Sequence, residues 1–178
     1  QEEMDFLVSN PERNDILAKL ASSQKGNTLV LYQYVEKHGE HLHKLISGYA
    51  PDKEVHFVWG GTDTEQREEI RYLTEQSNDT IIVASYGTFS TGINIRNLHN
   101  VVFASPSKSR IRNLQSIGRG LRKGDQKTTC NLFDIGDDLS WKSKKNYTLN
   151  HVLERIKLYN EENFDYKVIR ISSDGTKL

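Results

Sequence analysis

Residues 115–122 read Gln-Ser-Ile-Gly-Arg-Gly-Leu-Arg, and their side-chain types and spacing suit the handling of phosphate. On a helix turning about 100° per residue, Gln115, Arg119 and Arg122 fall at i, i+4 and i+7, within about 60° of one another. Ile111, Leu114, Ile117 and Leu121 cluster on the adjoining face, the stripe of a helix docked on a core. One edge therefore carries two planar, permanently charged guanidiniums that can donate in pairs to phosphate oxygens. Gly118 and Gly120 each cost such a helix about 1 kcal/mol relative to Ala, so their presence argues for a close approach of backbone. An amphipathic helix with merely exposed arginines is the plain alternative.

Two further stretches carry glycine and hydroxyl groups. Trp59-Gly60-Gly61-Thr62 sets two glycines before a helix start, a pattern that can cradle phosphate. Ser85-Tyr86-Gly87-Thr88-Phe89-Ser90-Thr91-Gly92-Ile93-Asn94 is a hydroxyl- and glycine-rich loop. Ordinary turns use the same residues. Asp134-Ile135-Gly136-Asp137-Asp138 is the one acidic cluster, read as capping the next turn rather than as a Mg²⁺ site. His38, His41 and His43 are spaced i, i+3, i+5, which puts no three ligands on one helical face; a solvated helix start is expected. Cys130 is alone, so no internal disulfide can form, and a buried small hydrophobe is expected.

The elements that must position these groups alternate. Apolar, β-branched runs at Thr28–Tyr32, Val55–Trp59, Thr80–Ser85, Asn100–Ala104, Thr129–Asp134 and Lys167–Ile171 read as strands, apolar throughout as in strands covered on both faces. Helical periodicity marks 12–22, 38–49 and 109–122, as well as 148–160, where Leu149, Val152, Leu153, Ile156 and Tyr159 share a face. Thr62 followed by Glu65 predicts a capping box opening a helix that carries Ile70 and Leu73. The expected fold is α/β, a parallel sheet with helices on both faces and ligands at the carboxyl ends of its strands. No linker or repeat divides the chain, so residues 1–178 read as one domain, with a lead-in helix at about 10–25 and a helix–strand extension at about 141–178.

With 178 residues the chain can bury roughly 70% of its unfolded surface. Its apolar runs are too short to span a bilayer and no secretory leader opens it, so a cytoplasmic protein off the membrane is expected. It begins with Gln1, as a piece of a longer protein would. The zero net charge hides a segregation. Residues 1–104 carry 9 basic and 15 acidic side chains, a balance of −6; residues 105–150 carry 10 and 4, a balance of +6. The basic segment flanks the arginine motif and suits a polyanion.

In order along the chain, Gly-Gly-Thr with Arg67 downstream, Ala84-Ser85 leading to Thr91-Gly92-Ile93-Asn94, and Gln115-x-x-Gly118-Arg119-x-x-Arg122 resemble motifs IV to VI of superfamily 2 helicases. The resemblance covers about residues 10–140 and implies the second, C-terminal RecA-like domain of such an enzyme. It implies that Arg119 and Arg122 meet the γ-phosphate of ATP across an interdomain cleft, one as arginine finger. Gln115 and Gly118 belong to the same nucleotide-facing segment. Gly92 and Asn94 match a Gly-x-Asp that approaches the sugar, with Asn in place of Asp removing a charge. Ser85 matches a Ser/Thr on the nucleic-acid backbone, joined by Gln33, Tyr34, Gly61 and Thr62.

No Gly-x-x-x-x-Gly-Lys-Ser/Thr occurs. The phosphate loop and the Mg²⁺ ligands are therefore expected on an N-terminal RecA-like lobe of the same polypeptide, and this chain alone is expected to be inactive. The tail, Asn146-Tyr147-Thr148-Leu149-Asn150-His151, extends the resemblance to phage recombination helicases. That implies a monomer acting on branched or single-stranded DNA, with RNA in R-loops, in an infected bacterial cell. A non-catalytic nucleic-acid-binding module and a protein-interaction domain with a basic face stay open beside it.

Overall fold

The computed structural model describes residues 1–90, 95–106 and 130–177. Strands β1 (Thr28–Tyr32), β2 (Val55–Val58), β3 (Ile81–Ser85), β4 (Asn100–Phe103) and β5 (Asn131–Asp134) form one parallel sheet in the order β2-β3-β1-β4-β5. Successive side chains of a strand alternate between faces. Leu29 and Leu31 of β1 accordingly enter one apolar layer, and Val30 and Tyr32 the other. The central strands are buried along their whole length, whereas β2 and β5 at the edges are only partly covered. Continuous apolar runs are what two covered faces demand.

Helices α1 (Glu2–Ser9), α2 (Pro11–Ser23), α3 (Glu40–Tyr49), α4 (Thr64–Glu75), the short α5 (Tyr86–Ser90) and α6 (Tyr147–Glu161) surround the sheet. Leu17, Ala18 and Ala21 of α2, with Leu42 and Ile46 of α3, close the face bearing Val30, Tyr32, Val83 and Val102. Ile70 of α4 and Tyr159 of α6 pack with Leu29, Leu31, Ile82 and Phe103 on the other. Pro11 opens α2, and the Asn10 side chain accepts the Arg13 N–H at 3.0 Å, a proline-first, capped start.

Four sequence expectations change. The cap of α4 is Asp63, whose carboxylate accepts the Gln66 N–H at 2.8 Å; Thr62 instead turns its hydroxyl back to the Trp59 N–H. On α6 the buried positions are Thr148, His151, Arg155 and Tyr159, while Leu153 is exposed. An ion pair, described below, turns Arg155 inward, while Ile156 and Tyr159 of the expected stripe still pack on the apolar layer. Lys167–Ile171 forms no strand: Val168 and Ile169 are 66% and 55% exposed, and Ile171 makes one antiparallel bridge to Lys177. β-propensity without a partner ladder does not make a strand.

Of the three clustered histidines, only His41 is exposed on the first turn of α3, as a solvated helix start requires. A π-helical turn at Val35–Gly39 carries His38 into the interior, fully buried, and His43 donates from Nε2 to the Val55 carbonyl at 3.1 Å. Cys130 is partly buried against the apolar layer, and burial pushes its thiol up to about 11. No described helix is long and apolar enough to cross a membrane.

Candidate nucleotide and nucleic-acid site

Parallel strands bring all their carboxyl ends to one edge of the sheet. Because β2, β3 and β1 are neighbours, the loops that follow them lie side by side, about 5 Å per strand apart. Those loops hold Gln33 and Tyr34, Gly61 and Thr62, and Ser85.

After β1, Gln33 is exposed and Tyr34 half-buried. The Tyr34 carbonyl accepts the N–H groups of His38 at 3.2 Å and Gly39 at 2.9 Å, which opens the π-helical turn. Gly39 is needed there, because a Cβ would stand 2.5 Å from the Tyr32 ring. That ring stacks on Phe57 at 5.7 Å between centroids, and its hydroxyl donates to the Val58 carbonyl at 3.0 Å.

After β2, residues 59–62 make a tight turn closed by the Thr62 N–H on the Trp59 carbonyl at 3.0 Å. Arg67 spans it, donating from Nε to the Thr62 carbonyl at 2.8 Å and from Nη2 to the Gly60 carbonyl at 2.9 Å. Gly61 lies against the Trp59 indole, so close that any Cβ would clash. The Asp63 carboxylate sits on the first turn of α4, so an anion at that helix start would meet a negative charge. What the turn offers a phosphate is exposed Gly60 and Gly61 backbone beside the Arg67 guanidinium.

After β3, Ser85 is 9% exposed and caps α5. Its Oγ lies 2.6 Å from Thr88 Oγ1 and accepts the Thr88 N–H at 3.3 Å. Gly92 and Asn94, together with residues 109–122, where a helix bearing Gln115, Gly118, Arg119 and Arg122 is expected, lie outside the described residues.

Beneath this edge runs a polar network that periodicity does not signal. Ser105, after β4, accepts the Gln33 N–H at 3.0 Å, and its Oγ is 2.7 Å from His38 Nδ1. His38 Nε2 lies 3.0 Å from Asn14 Oδ1, and the Asn14 amide donates to the Val8 carbonyl at 2.9 Å. Asn14 Oδ1 must therefore accept from His38 Nε2–H, which leaves Nδ1 to accept from the Ser105 hydroxyl. Burial, with the fields of Arg13 and His41, pushes the imidazole down to about 3, so it is neutral and held in one tautomer. Tyr86 adds a hydroxyl donated to the Ser105 carbonyl at 3.1 Å. Ser105 thus ties together the loops after β1, β3 and β4.

The acidic run after β5 has another task. Asp134 accepts from Arg155 Nε and Nη2 at 2.6 and 2.8 Å, and from the Tyr159 hydroxyl at 2.5 Å. Asp137 accepts from Arg13 Nε and Nη2 at 2.7 and 2.9 Å. Asp138 accepts the Ser140 N–H at 3.0 Å, the capping role expected of the run. Two of its carboxylates are thus committed to arginines. Arg155 escaped the sequence reading because a charged residue on an apolar-patterned helix reads as surface.

The helicase conserved C-terminal domain matches residues 12–124, and the chain belongs to that family. It is 40% identical over 179 residues to the ATP-dependent DNA helicase UvsW of Enterobacteria phage T4, an alignment covering 93% of this chain and 35% of that protein. The chain thus spans about a third of the length of this relative. The crystal structure of T4 UvsW superposes with a TM-score of 0.79 at 37% identity, over 94% of this chain and 36% of that one. The C-terminal domain of the DEAD-box protein Dbp5 shares the fold, with a TM-score of 0.61 at 15% identity over 87% of this chain and 82% of that one. The five-stranded parallel sheet is that of RecA-like helicase C-terminal domains.

Proposed function

We propose that this chain is the C-terminal RecA-like lobe of an ATP-dependent DNA helicase or translocase that remodels branched DNA: forks, Holliday junctions and R-loops. The observation that carries the reading is the 40% identity to T4 UvsW across 93% of the chain. The arginine motif at 115–122 supports it from the side of the chemistry.

In this reading an N-terminal lobe binds ATP and Mg²⁺, and the two lobes close on the nucleotide. Arg119 and Arg122 then reach the γ-phosphate and stabilise the charge that develops as it is transferred. Gln115 and Gly118 line the same surface, and Gly92 and Asn94 link nucleotide to nucleic acid. Ser85, Gly61, Thr62, Gln33 and Tyr34 hold the nucleic-acid backbone along the carboxyl edge. Closure is the coupling device, since the arginines act only when the lobes meet.

The test is DNA-stimulated ATP hydrolysis by this chain alone and by the same chain with its natural upstream segment. Hydrolysis is expected only in the longer protein. There Arg122→Ala should cost about 10³–10⁵ in turnover while DNA affinity stays near normal. Turnover within a few-fold of wild type overturns the arginine assignment. DNA binding without hydrolysis in either protein would favour a binding module.

A further inference from the structure

Trp141 is 77% exposed, the most exposed large hydrophobic residue among those described. It stands on a built turn. Its N–H donates to the Lys144 carbonyl and its carbonyl accepts the Lys144 N–H, both at 3.1 Å, which closes a two-residue hairpin over Lys142 and Ser143. Lys142 takes a φ of 56°, a left-handed conformation that usually falls to Gly.

The flanks of the turn are pinned. Asp137 is held by Arg13 on one side. On the other, Asn146 accepts the Leu139 N–H at 2.9 Å and donates to the Asp137 carbonyl at 3.0 Å. Glu3 completes the clamp by accepting the Thr148 N–H at 2.8 Å. A turn so anchored holds its side chains out without paying for order at the moment of binding.

The surroundings are cationic. Lys142, Lys144 and Lys145 are all exposed. Asp138 is held below the usual carboxylate range first by the Ser140 hydrogen bonds and then by the positive fields of Arg170 and Lys145. The turn follows β5, whose carboxyl end lies two strand spacings, about 10 Å, from that of β1.

We propose that the Trp141 turn is a single-stranded nucleic-acid contact, with the indole stacking on an unpaired base and Lys142, Lys144 and Lys145 taking the flanking phosphates. An exposed aromatic ring offers any base a π-face, and exposed lysines on the same turn can follow the backbone. Three lysines within five residues suit a polyanion better than an apolar protein surface. The inference rests on the nucleic-acid reading above and adds a second contact region on the same edge of the sheet.

The test is the affinity of the 178-residue chain for a labelled 20-nucleotide oligothymidylate and for a blunt 20-base-pair duplex, by anisotropy over a salt series. Trp141→Ala should weaken oligothymidylate binding about 5- to 150-fold and leave duplex binding nearly unchanged. Trp141→Phe, which keeps a ring, should stay within a few-fold of wild type. Replacing the three lysines by Ala should lower the salt slope on the single strand by about 2. Neither change threatens the fold, because the side chains are exposed and the turn is closed by backbone; a thermal melt checks this.

Unchanged oligothymidylate affinity in Trp141→Ala overturns the proposal and leaves the indole to a protein partner, and so does a wild type that binds no single strand. The two readings fail separately. Arginine-dependent hydrolysis in the longer protein with Trp141→Ala binding like wild type sinks only the turn. A stacking loss at Trp141 without hydrolysis sinks only the motor.

Discussion

Between β2 and β4 the interior is apolar and held by backbone ladders, with Leu29, Leu31, Val83 and Val102 almost wholly withdrawn from water. The segment after β5 is held by named charges: Arg155 on Asp134, Arg13 on Asp137, and Glu3 on the first turn of α6. The first region loses stability by degrees when trimmed, since each buried methylene contributes about 0.8 kcal/mol. The second depends on pairs, and breaking one leaves a buried partner uncompensated. The polar network at His38 lies between the two in kind, an uncharged contact set inside an apolar layer.

The sharpest way to break this contrast is at Arg155, whose side chain is 3% exposed. Arg155→Ala should destabilise the chain by about 3–5 kcal/mol in urea unfolding, because the nearly enclosed Asp134 carboxylate loses its counter-charge and keeps the Tyr159 hydroxyl as a neutral donor. Replacing both partners, Asp134→Leu with Arg155→Met, should recover most of that loss. If the single variant unfolds within 1 kcal/mol of wild type, roughly the worth of a surface pair, the region is not charge-held.

His38 tests the ground between. Its folded value of about 3 lies below the ordinary 6.5, so the unfolded chain takes up a proton that the folded chain refuses. Its stabilising contribution is whole above about pH 6.5 and is lost as pH falls toward 3, at up to about 1.4 kcal/mol per pH unit. Urea midpoints at pH 7.5, 6, 5 and 4 should therefore fall more steeply for wild type than for His38→Gln. Parallel pH profiles would show that the imidazole is not buried neutral.

Glu3 should have the smallest effect. Burial pushes its carboxyl up, but hydrogen bonds from the Thr148 and Asn146 side chains and the Thr148 and Tyr147 N–H groups outweigh it and leave the group lowered. Glu3→Ala removes a cap reaching α6 from α1 and should cost about 1 kcal/mol. Hydrogen exchange should show lost protection at Thr148 while β1 amides are unchanged. Protection lost equally in both would make the two regions one cooperative unit.

Much of the sheet was legible because its rule is local. A strand covered on both faces must be apolar at every position, and Thr28–Tyr32 and Asn100–Phe103 advertise that directly. The loops of the carboxyl edge were legible for a related reason: parallel strands bring every such loop to the same side. The motif residues at Gly92, Asn94, Gln115, Gly118, Arg119 and Arg122 were read from type and spacing and lie outside the described residues. Lys167–Ile171 misled because β-branched composition measures a preference for a covered, pleated place and cannot supply the neighbouring strand.

The sequence by itself determined the alternation of strand and helix and the family, since each rests on residues close together in the chain. Tertiary structure alone decided that Asp134 and Asp137 pair with arginines, that His38 is a neutral strut beneath the edge, and that α6 turns its Arg155 inward. Those outcomes join residues 21 to 124 positions apart, and a buried charge or imidazole takes its meaning from the partner it finds.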